Sequence, residues 1–308
     1  LSYIAVRPAD EPALSQRAIA QGTGKALGTV NGLVKQLDAM GYLDGANRIT
    51  DAGRAALAPY RVDNAVIMAA GMSSRFAPLS YEKPKALLKV KGEVLIEREI
   101  RQLQAAGIDD ITVVVGYMKE KLFYLEDRFH VKIVINEDYH RYNNPSTLML
   151  VRDRLKNTFI CSSDNYFEQN PFEPYVYQAY YASLYSTGKT DEYCMVTNRK
   201  GRITGVQVGG GDAWYMIGHA YFDRSFSEKF TQILEREYDS PVTRAGLWED
   251  LYARHIRELE MYIRKYPGGI HEFDSLDELR AFDSAYVTNT DSYIFDNICA
   301  VLHCAPDN

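Results

Sequence analysis

An apolar run of six residues, Ala65 to Ala70, ends at Gly71, and a small polar loop then closes on Arg75. Ten residues beyond that arginine lies Lys85, within Lys83-Pro84-Lys85. A short, fully apolar run bounded by glycine reads as a buried strand. Backbone N–H groups can converge on an anion only where side chains are small, and this strand hands the chain to Gly71, Ser73 and Ser74. Arg75 and Lys85 add positive charge at the same place. The pattern demands a sheet whose edge carries a polyphosphate-holding loop.

The residues that follow extend it. Ile111–Val115, Val131–Asn136 and Thr158–Ser162 read as strands, and Glu93–Ala106, Lys119–Phe129 and the later part of Asn144–Leu155 as helices. Strands alternating with helices of this length make βαβ units and a parallel sheet covered on both faces. Such sheets bind ligands at the carboxyl ends of their strands. Gly71, Gly116, Asn136 and Asp164 all stand at such ends, and this convergence outweighs any single motif.

Residues 1–60 read differently. A helix is expected from Gln16 to Ala20, a turn at Gly22-Thr23-Gly24, and a second helix carrying Leu27, Val30, Leu33, Val34 and Leu37. A β-turn at Asp44–Asn47, a short strand at Arg48–Thr50 and a helix from Asp51 complete the segment. Helix, turn, helix and hairpin is the order of a winged helix-turn-helix, and L-x-x-G-Y-L followed by I-T-x-x-G resembles winged-helix domains of the MarR type. The segment carries six Lys/Arg against five Asp/Glu. Its fold class allows nucleic acid as a partner, but this weak basic excess disfavours it against a scaffold or dimerisation role.

The loop lacks the Gly-x4-Gly-Lys-Ser/Thr spacing of a Walker A motif and the Gly-x-Gly-x-x-Gly of a dinucleotide fold. What remains, A-A-G-x-x-S-R followed by K-P-K, resembles the nucleotidyltransferases that join a phosphate-bearing metabolite to a nucleoside monophosphate. G-E-V-L-I-E-R-E-I, I-x-V-V-V-G-Y-M-K-E, Y-N-N-x-x-T-L, S-D-N-Y, L-W-E-D and H-E-F-D-S-L-D-E-L, spread over residues 64–285, narrow the resemblance to the bacterial CTP:phosphocholine cytidylyltransferases. It implies an α/β fold: a Rossmann-like, mostly parallel sheet over 64–285, here preceded by the winged-helix domain of 1–60. Residues 286–308 form a helical tail. Its F-D-N-I-C-A-V-L-H-C-A-P-D-N resembles the opening of a choline-kinase-type domain, which would be fused behind it in a longer protein.

The resemblance implies CTP and phosphocholine as partners, CDP-choline and pyrophosphate as products, and Mg²⁺ as cofactor. A substrate phosphate oxygen attacks the α-phosphorus and pyrophosphate leaves in line. Both reactants are polyanions, so catalysis rests on positioning and charge. Ala70, Gly71, Met72, Ser73 and Ser74 would cradle the β- and γ-phosphates. Arg75 would hold the triphosphate, and Lys85 would stabilise charge at the α-phosphate. Asp164 would be the first metal ligand and catalytic carboxylate, and Glu249 the second metal ligand. Relatives often carry Asp-x-Asp where this chain has Ser162-Ser163-Asp164, and a second glycine where it has Ser73. Gly116, Tyr117, Asn143, Asn144 and Thr147 are expected around the base, although Asn144 before a helix is also an ordinary N-cap.

A quaternary ammonium donates no hydrogen bond and is held by aromatic faces and a carboxylate. Tyr166, Glu192, Tyr193, Tyr221 and Trp248 are the expected acceptor site. A sugar-1-phosphate nucleotidyltransferase using UTP or dTTP shares the loop but would want polar side chains there. A transcriptional regulator that only senses nucleotide is the alternative of another class, and intact Arg75, Lys85 and Asp164 argue against it.

Bulk properties agree with a cytoplasmic enzyme. No apolar run reaches the roughly 18 residues of a membrane-spanning helix, and Leu1-Ser2-Tyr3 does not open a signal peptide. The four cysteines form no metal or disulfide pattern. A net charge of −6 argues against bulk nucleic-acid binding.

Overall fold

The computed structural model describes residues 1–7, 11–288 and 292–304. They divide into two compact units, Leu1–Val62 with Glu173–Tyr177, and Asp63–Phe172 with Gln178–Asn308. Among the described residues no helix is long and apolar enough to cross a membrane.

In the first unit the helix Gln16–Thr23 starts at Ser15, whose hydroxyl accepts from the Ala18 amide at 3.1 Å. It runs through the expected turn, and only Gly24 takes the left-handed conformation that ends it, at φ 64°. Leu27–Ala39 is the second helix. Val30 and Val34 pack with Ile4, Ile19 and Leu43, whereas Leu27 and Leu33 of the same expected stripe stay exposed. A bridge between Leu43 and Ile49 precedes the helix Asp51–Leu57, which Thr50 caps.

The second unit is built on a seven-stranded sheet. Its strands, with those of two small two-stranded sheets, are β1 (Asn64–Ala69), β2 (Lys89–Val90), β3 (Glu93–Val94), β4 (Ile111–Val115), β5 (Lys132–Ile135), β6 (Thr158–Ser162), β7 (Asn165–Phe167), β8 (Tyr180–Thr197), β9 (Ile203–Phe222), β10 (Tyr262–Lys265) and β11 (Ile270–Glu272). The large sheet has the order β10-β8-β9-β6-β1-β4-β5. β5, β4, β1 and β6 are mutually parallel, with Ala65 opposite Ile111 on one side and Phe159 on the other. Ala65, Val66 and Ile67 are wholly buried, as central parallel strands covered on both faces must be. The chain steps from β1 outward to β4 and β5 and then returns to β6 on the opposite flank. The order reverses between β1 and β6, where this architecture opens a crevice.

Strand–helix alternation does not continue to residue 285. β8 and β9 form one long antiparallel hairpin, interrupted by register shifts, and β9 joins the sheet antiparallel to β6. Beyond it the helix Arg224–Glu237, capped by Asp223, turns Phe226, Phe230, Ile233 and Leu234 into the main core. The expected helix over Glu93–Ala106 is Leu95–Ala105, because Glu93 and Val94 pair with β2. β11 pairs antiparallel with β7 and sets Glu272 opposite Asn165, next to Asp164. A second core joins Phe76, Leu79, Leu88 and Val90 to Phe273, Leu279 and Tyr286. Within the expected helical tail, the helix spans Tyr293–Leu302.

Candidate active site

A cavity of about 220 Å³ opens at the carboxyl edge of the parallel strands. Ala70, Gly71 and Ser73 enter it from the loop after β1, Asn136 from the end of β5, and Ser163 and Asp164 from the end of β6. Ser73 is held left-handed at φ 49°, at the start of the 3-10 turn Ser74–Phe76. Met72 and Ser74 are exposed and do not line the cavity. The Arg75 side chain lies outside the described residues.

Lys85 enters through a 3-10 turn, Lys85–Leu87, and is only 7% exposed. Its Nζ lies 2.8 Å from Asp164 Oδ2 and 3.7 Å from Asp274 Oδ1. Burial alone would push the ammonium pKa down. The charge and hydrogen bond of Asp164, with help from Glu272 and Asp274, reverse this and raise it. Lys85 therefore stays cationic in a site partly shielded from water, where its field on a phosphate is strong.

Glu272 also lines the cavity, open to solvent on one side. The charge of Asp164, followed by partial desolvation, raises its carboxyl pKa to about 8. Glu272 lies in the H-E-F-D string but was not expected in the site, because nothing local in the sequence places it beside Asp164; the β11–β7 pairing does. Tyr139 and Tyr142 are further cavity residues that the sequence reading missed. Tyr139 is admitted by Gly116, since a Cβ there would stand 2.7 Å from Tyr139 Cβ. Gly116 and Tyr117 were expected to touch the base, yet neither lines the cavity. Tyr117 instead donates its hydroxyl to Ser80 O at 2.8 Å.

Asn143, Asn144 and Thr147 do line the cavity. The N-cap is Asn143, one residue earlier than expected: its Oδ1 accepts from the Asn144 amide at 2.8 Å. Asn144 Oδ1 accepts from the Trp248 amide at 2.7 Å. Buried Asn136 donates to Ser146 Oγ and Thr147 Oγ1, at 2.9 and 3.1 Å, and so pins this turn to the end of β5.

The expected acceptor residues scatter. Tyr221 is wholly buried, because the β6–β9 register sets it opposite Phe159, at the far end of β6 from Asp164. Trp248 is 1% exposed and stacks on Tyr181 at 5.5 Å between ring centres. Tyr166 is buried, and its ring already carries the Arg98 guanidinium at 4.6 Å. None of these three presents a free face to a ligand. Tyr193 is half-buried, with its hydroxyl donated to Asp250 at 2.9 Å, and Glu192 is exposed on the same strand.

Glu249, expected as the second metal ligand, does not line the cavity. Its oxygens accept from Tyr181 Oη at 2.9 Å and Asn144 Nδ2 at 3.5 Å, and burial raises its pKa to about 7. Among the described residues no three His, Cys, Asp or Glu side chains gather into a preformed metal cage. Asp164 and Glu272 do fit a hard cation such as Mg²⁺. They are two oxygen donors at one cavity, and their mutual repulsion is what a divalent ion would relieve.

The sequence matches the MobA-like NTP transferase domain over residues 65–224. It is 31% identical over 220 residues to the choline-phosphate cytidylyltransferase of Streptococcus pneumoniae, covering 71% of this chain and 96% of that protein. It is 34% identical over 229 residues to the 2-aminoethylphosphonate cytidylyltransferase of Lancefieldella rimae, covering 73% and 93% of the two chains. The solved structure of the Streptococcus pneumoniae CTP:phosphocholine cytidylyltransferase superposes with a TM-score of 0.70 at 31% identity, over 73% of this chain and 99% of that one. With the matched domain running from β1 through β9, and the Lys85–Asp164 cavity built from its strand ends, this chain belongs to the MobA-like NTP transferase family.

Proposed function

We propose that this protein is a cytidylyltransferase that moves CMP from CTP to phosphocholine, giving CDP-choline and pyrophosphate. The observation that carries the reading is the Lys85–Asp164 pair, 2.8 Å apart at the β1–β6 switch point, beside the Gly71–Ser73 loop and opposite Glu272. The loop amides bind the β- and γ-phosphates, and Arg75 adds its charge to them. Lys85 stabilises the negative charge that grows on the α-phosphoryl oxygens as the acceptor phosphate attacks and pyrophosphate leaves. Asp164 holds the Lys85 ammonium in place. Asp164 and Glu272 would hold Mg²⁺, which when bound neutralises phosphate charge and orients the triphosphate. Tyr139 offers an aromatic platform for the cytosine ring, beside the polar edge of Asn143 and Thr147.

Relatedness to choline-phosphate cytidylyltransferases supports phosphocholine as acceptor. A second acceptor class, phosphates or phosphonates with a primary ammonium, is favoured by one observation: Tyr221 and Trp248 are core residues, while exposed Glu192 and the Tyr193–Asp250 pair carry oxygens that accept from a donor ammonium. We read the first unit as a winged helix-turn-helix module on its helix–helix–bridge–helix order.

Pyrophosphate release tests the reading, with CTP, UTP and dTTP each paired with phosphocholine, 2-aminoethylphosphonate or glucose-1-phosphate in Mg²⁺. Turnover is expected with CTP and phosphocholine. Turnover confined to UTP or dTTP with the sugar phosphate overturns the proposal, and turnover confined to 2-aminoethylphosphonate moves the acceptor to the second class.

A further inference from the structure

Lys85 sits on a segment, residues 76–91, that belongs to no strand of the large sheet. Apart from its 3-10 turns and the β2–β3 hairpin, the segment has no regular structure to hold it, so what fixes the height of Lys85 over the cavity must come from elsewhere in the chain. Tyr117 holds Ser80 and Asp164 holds the ammonium itself, and the other ties come from residues 273–288 and 292–302. On the far side of Lys85, Tyr286 donates its hydroxyl to Lys89 O at 2.7 Å, and the Lys91 amide donates to Asp283 Oδ2 at 2.6 Å. On the near side, three residues before Lys85, the Glu82 carboxylate accepts from Ser292 Oγ at 2.6 Å, from the Tyr293 amide at 3.1 Å and from the Ile294 amide at 2.7 Å. Those two amides are unpartnered donors of the first turn of the helix Tyr293–Leu302, which in most helices a residue of the same chain neighbourhood satisfies. Here the acceptor is donated by the Lys85 segment, across more than two hundred residues of sequence, and the negative charge also suits the helix N-terminus.

We propose that Glu82 is a positioning residue, which ties the Lys85 segment to the N-terminus of the helix Tyr293–Leu302 and so sets the place of Lys85 over the cavity. The claim about turnover rests on the cytidylyl-transfer reading above; the claim about the segment does not. Glu82 does not line the cavity and acts through the backbone that carries Lys83 to Lys85. The tail helix is thereby part of the enzyme's working parts, and any event that unseats it slackens the lysine.

The test uses the full chain in three variants. Glu82→Ala removes the tie. Glu82→Gln keeps its length and one acceptor oxygen. Tyr293→Pro deletes one of the three donors while leaving the helix able to form, because proline is accommodated at the first helical position and Ser292 already has the extended backbone (φ −133°, ψ 115°) that must precede it. Amide hydrogen exchange is followed over residues 79–88 and, as internal reference, over β1. Exchange over 79–88 is expected to rise about tenfold in Glu82→Ala, less in the other two, with β1 unchanged. In the same order kcat should fall, by about tenfold in Glu82→Ala, while KM for CTP moves less than about threefold. Unchanged exchange over 79–88, or a rise shared equally by β1, overturns the proposal. If the wild-type protein turns over no cytidylyl acceptor, the exchange measurement still decides the tie, and the failure belongs to the functional reading.

Discussion

The Lys85 ammonium and the Asp164 carboxylate meet at 2.8 Å, although one rides on an irregular loop and the other ends a buried strand. In the free protein each neutralises the other. In the proposed reaction, triphosphate oxygens would compete for Lys85, and Asp164 would then be free to turn toward a cation. The pair thus keeps a buried lysine charged and oriented until substrate arrives.

Removal of either member should cost turnover. Lys85→Ala is expected to lower kcat by about 10²–10³, the loss typical of one preorganised charge at a developing oxyanion. Asp164→Asn should lose a similar factor, with circular dichroism unchanged. Steady-state pyrophosphate release checks both, and rates within twofold of wild type would refute the assigned roles.

Glu272 makes stability depend on pH. Its folded-state pKa, about 8, lies above the ordinary value of 4.5, so the folded protein holds this proton more tightly than the unfolded chain. The stabilisation is complete below about pH 4.5 and is lost as pH rises through about 8. Glu272→Gln should therefore match wild type at pH 4.5 and exceed its Tm at pH 8.5, by about 2–4 °C for each kcal/mol of relieved repulsion. Mg²⁺ should raise the wild-type Tm more than that of the variant. A Mg²⁺ response equal in both would remove Glu272 from the metal site.

Glu249 behaves as a core carboxyl. Burial raises its pKa to about 7, so its contribution to stability is likewise lost as pH rises from about 4.5 through 7. Glu249→Gln should keep turnover within the wild-type order of magnitude and melt no lower than wild type above pH 7. Tyr181→Phe removes the 2.9 Å donation to Glu249 and should cost about 1–3 kcal/mol in chemical denaturation. A loss of Mg²⁺-dependent turnover in Glu249→Gln would restore it as a ligand.

Gly116→Ala places a methyl group 2.7 Å from Tyr139 Cβ and 2.9 Å from Ala70 O. The overpacking should cost about 1–3 kcal/mol and shift Tyr139 within the cavity, raising KM for the nucleotide more than it lowers kcat. Urea unfolding and nucleotide titration measure the two effects separately.

Residues 64–162 were the legible part, because local pattern and global fold agree there. β1, β4, β5 and β6 are near-continuous apolar runs, and a parallel sheet of such runs must gather its strand ends on one edge, so Gly71, Asn136 and Asp164 could be grouped without coordinates. Lys85 followed from its closeness in sequence to the loop. The rest depended on non-local pairing. Glu272 reaches Asp164 only because β11 pairs with β7, and Glu82 reaches the tail helix only through a fold that closes over two hundred residues. The aromatic residues misled for a related reason. A tyrosine that cages a ligand and one that fills a core have the same side chain, and strand register, set by the whole β8–β9 hairpin, sent Tyr221 fully inward and left Tyr193 half-buried. Composition and periodicity determined the kind of sheet and the edge at which chemistry occurs; tertiary packing alone decided which carboxylates face Lys85, because charges far apart in sequence interact only once the chain has brought them within a few ångströms.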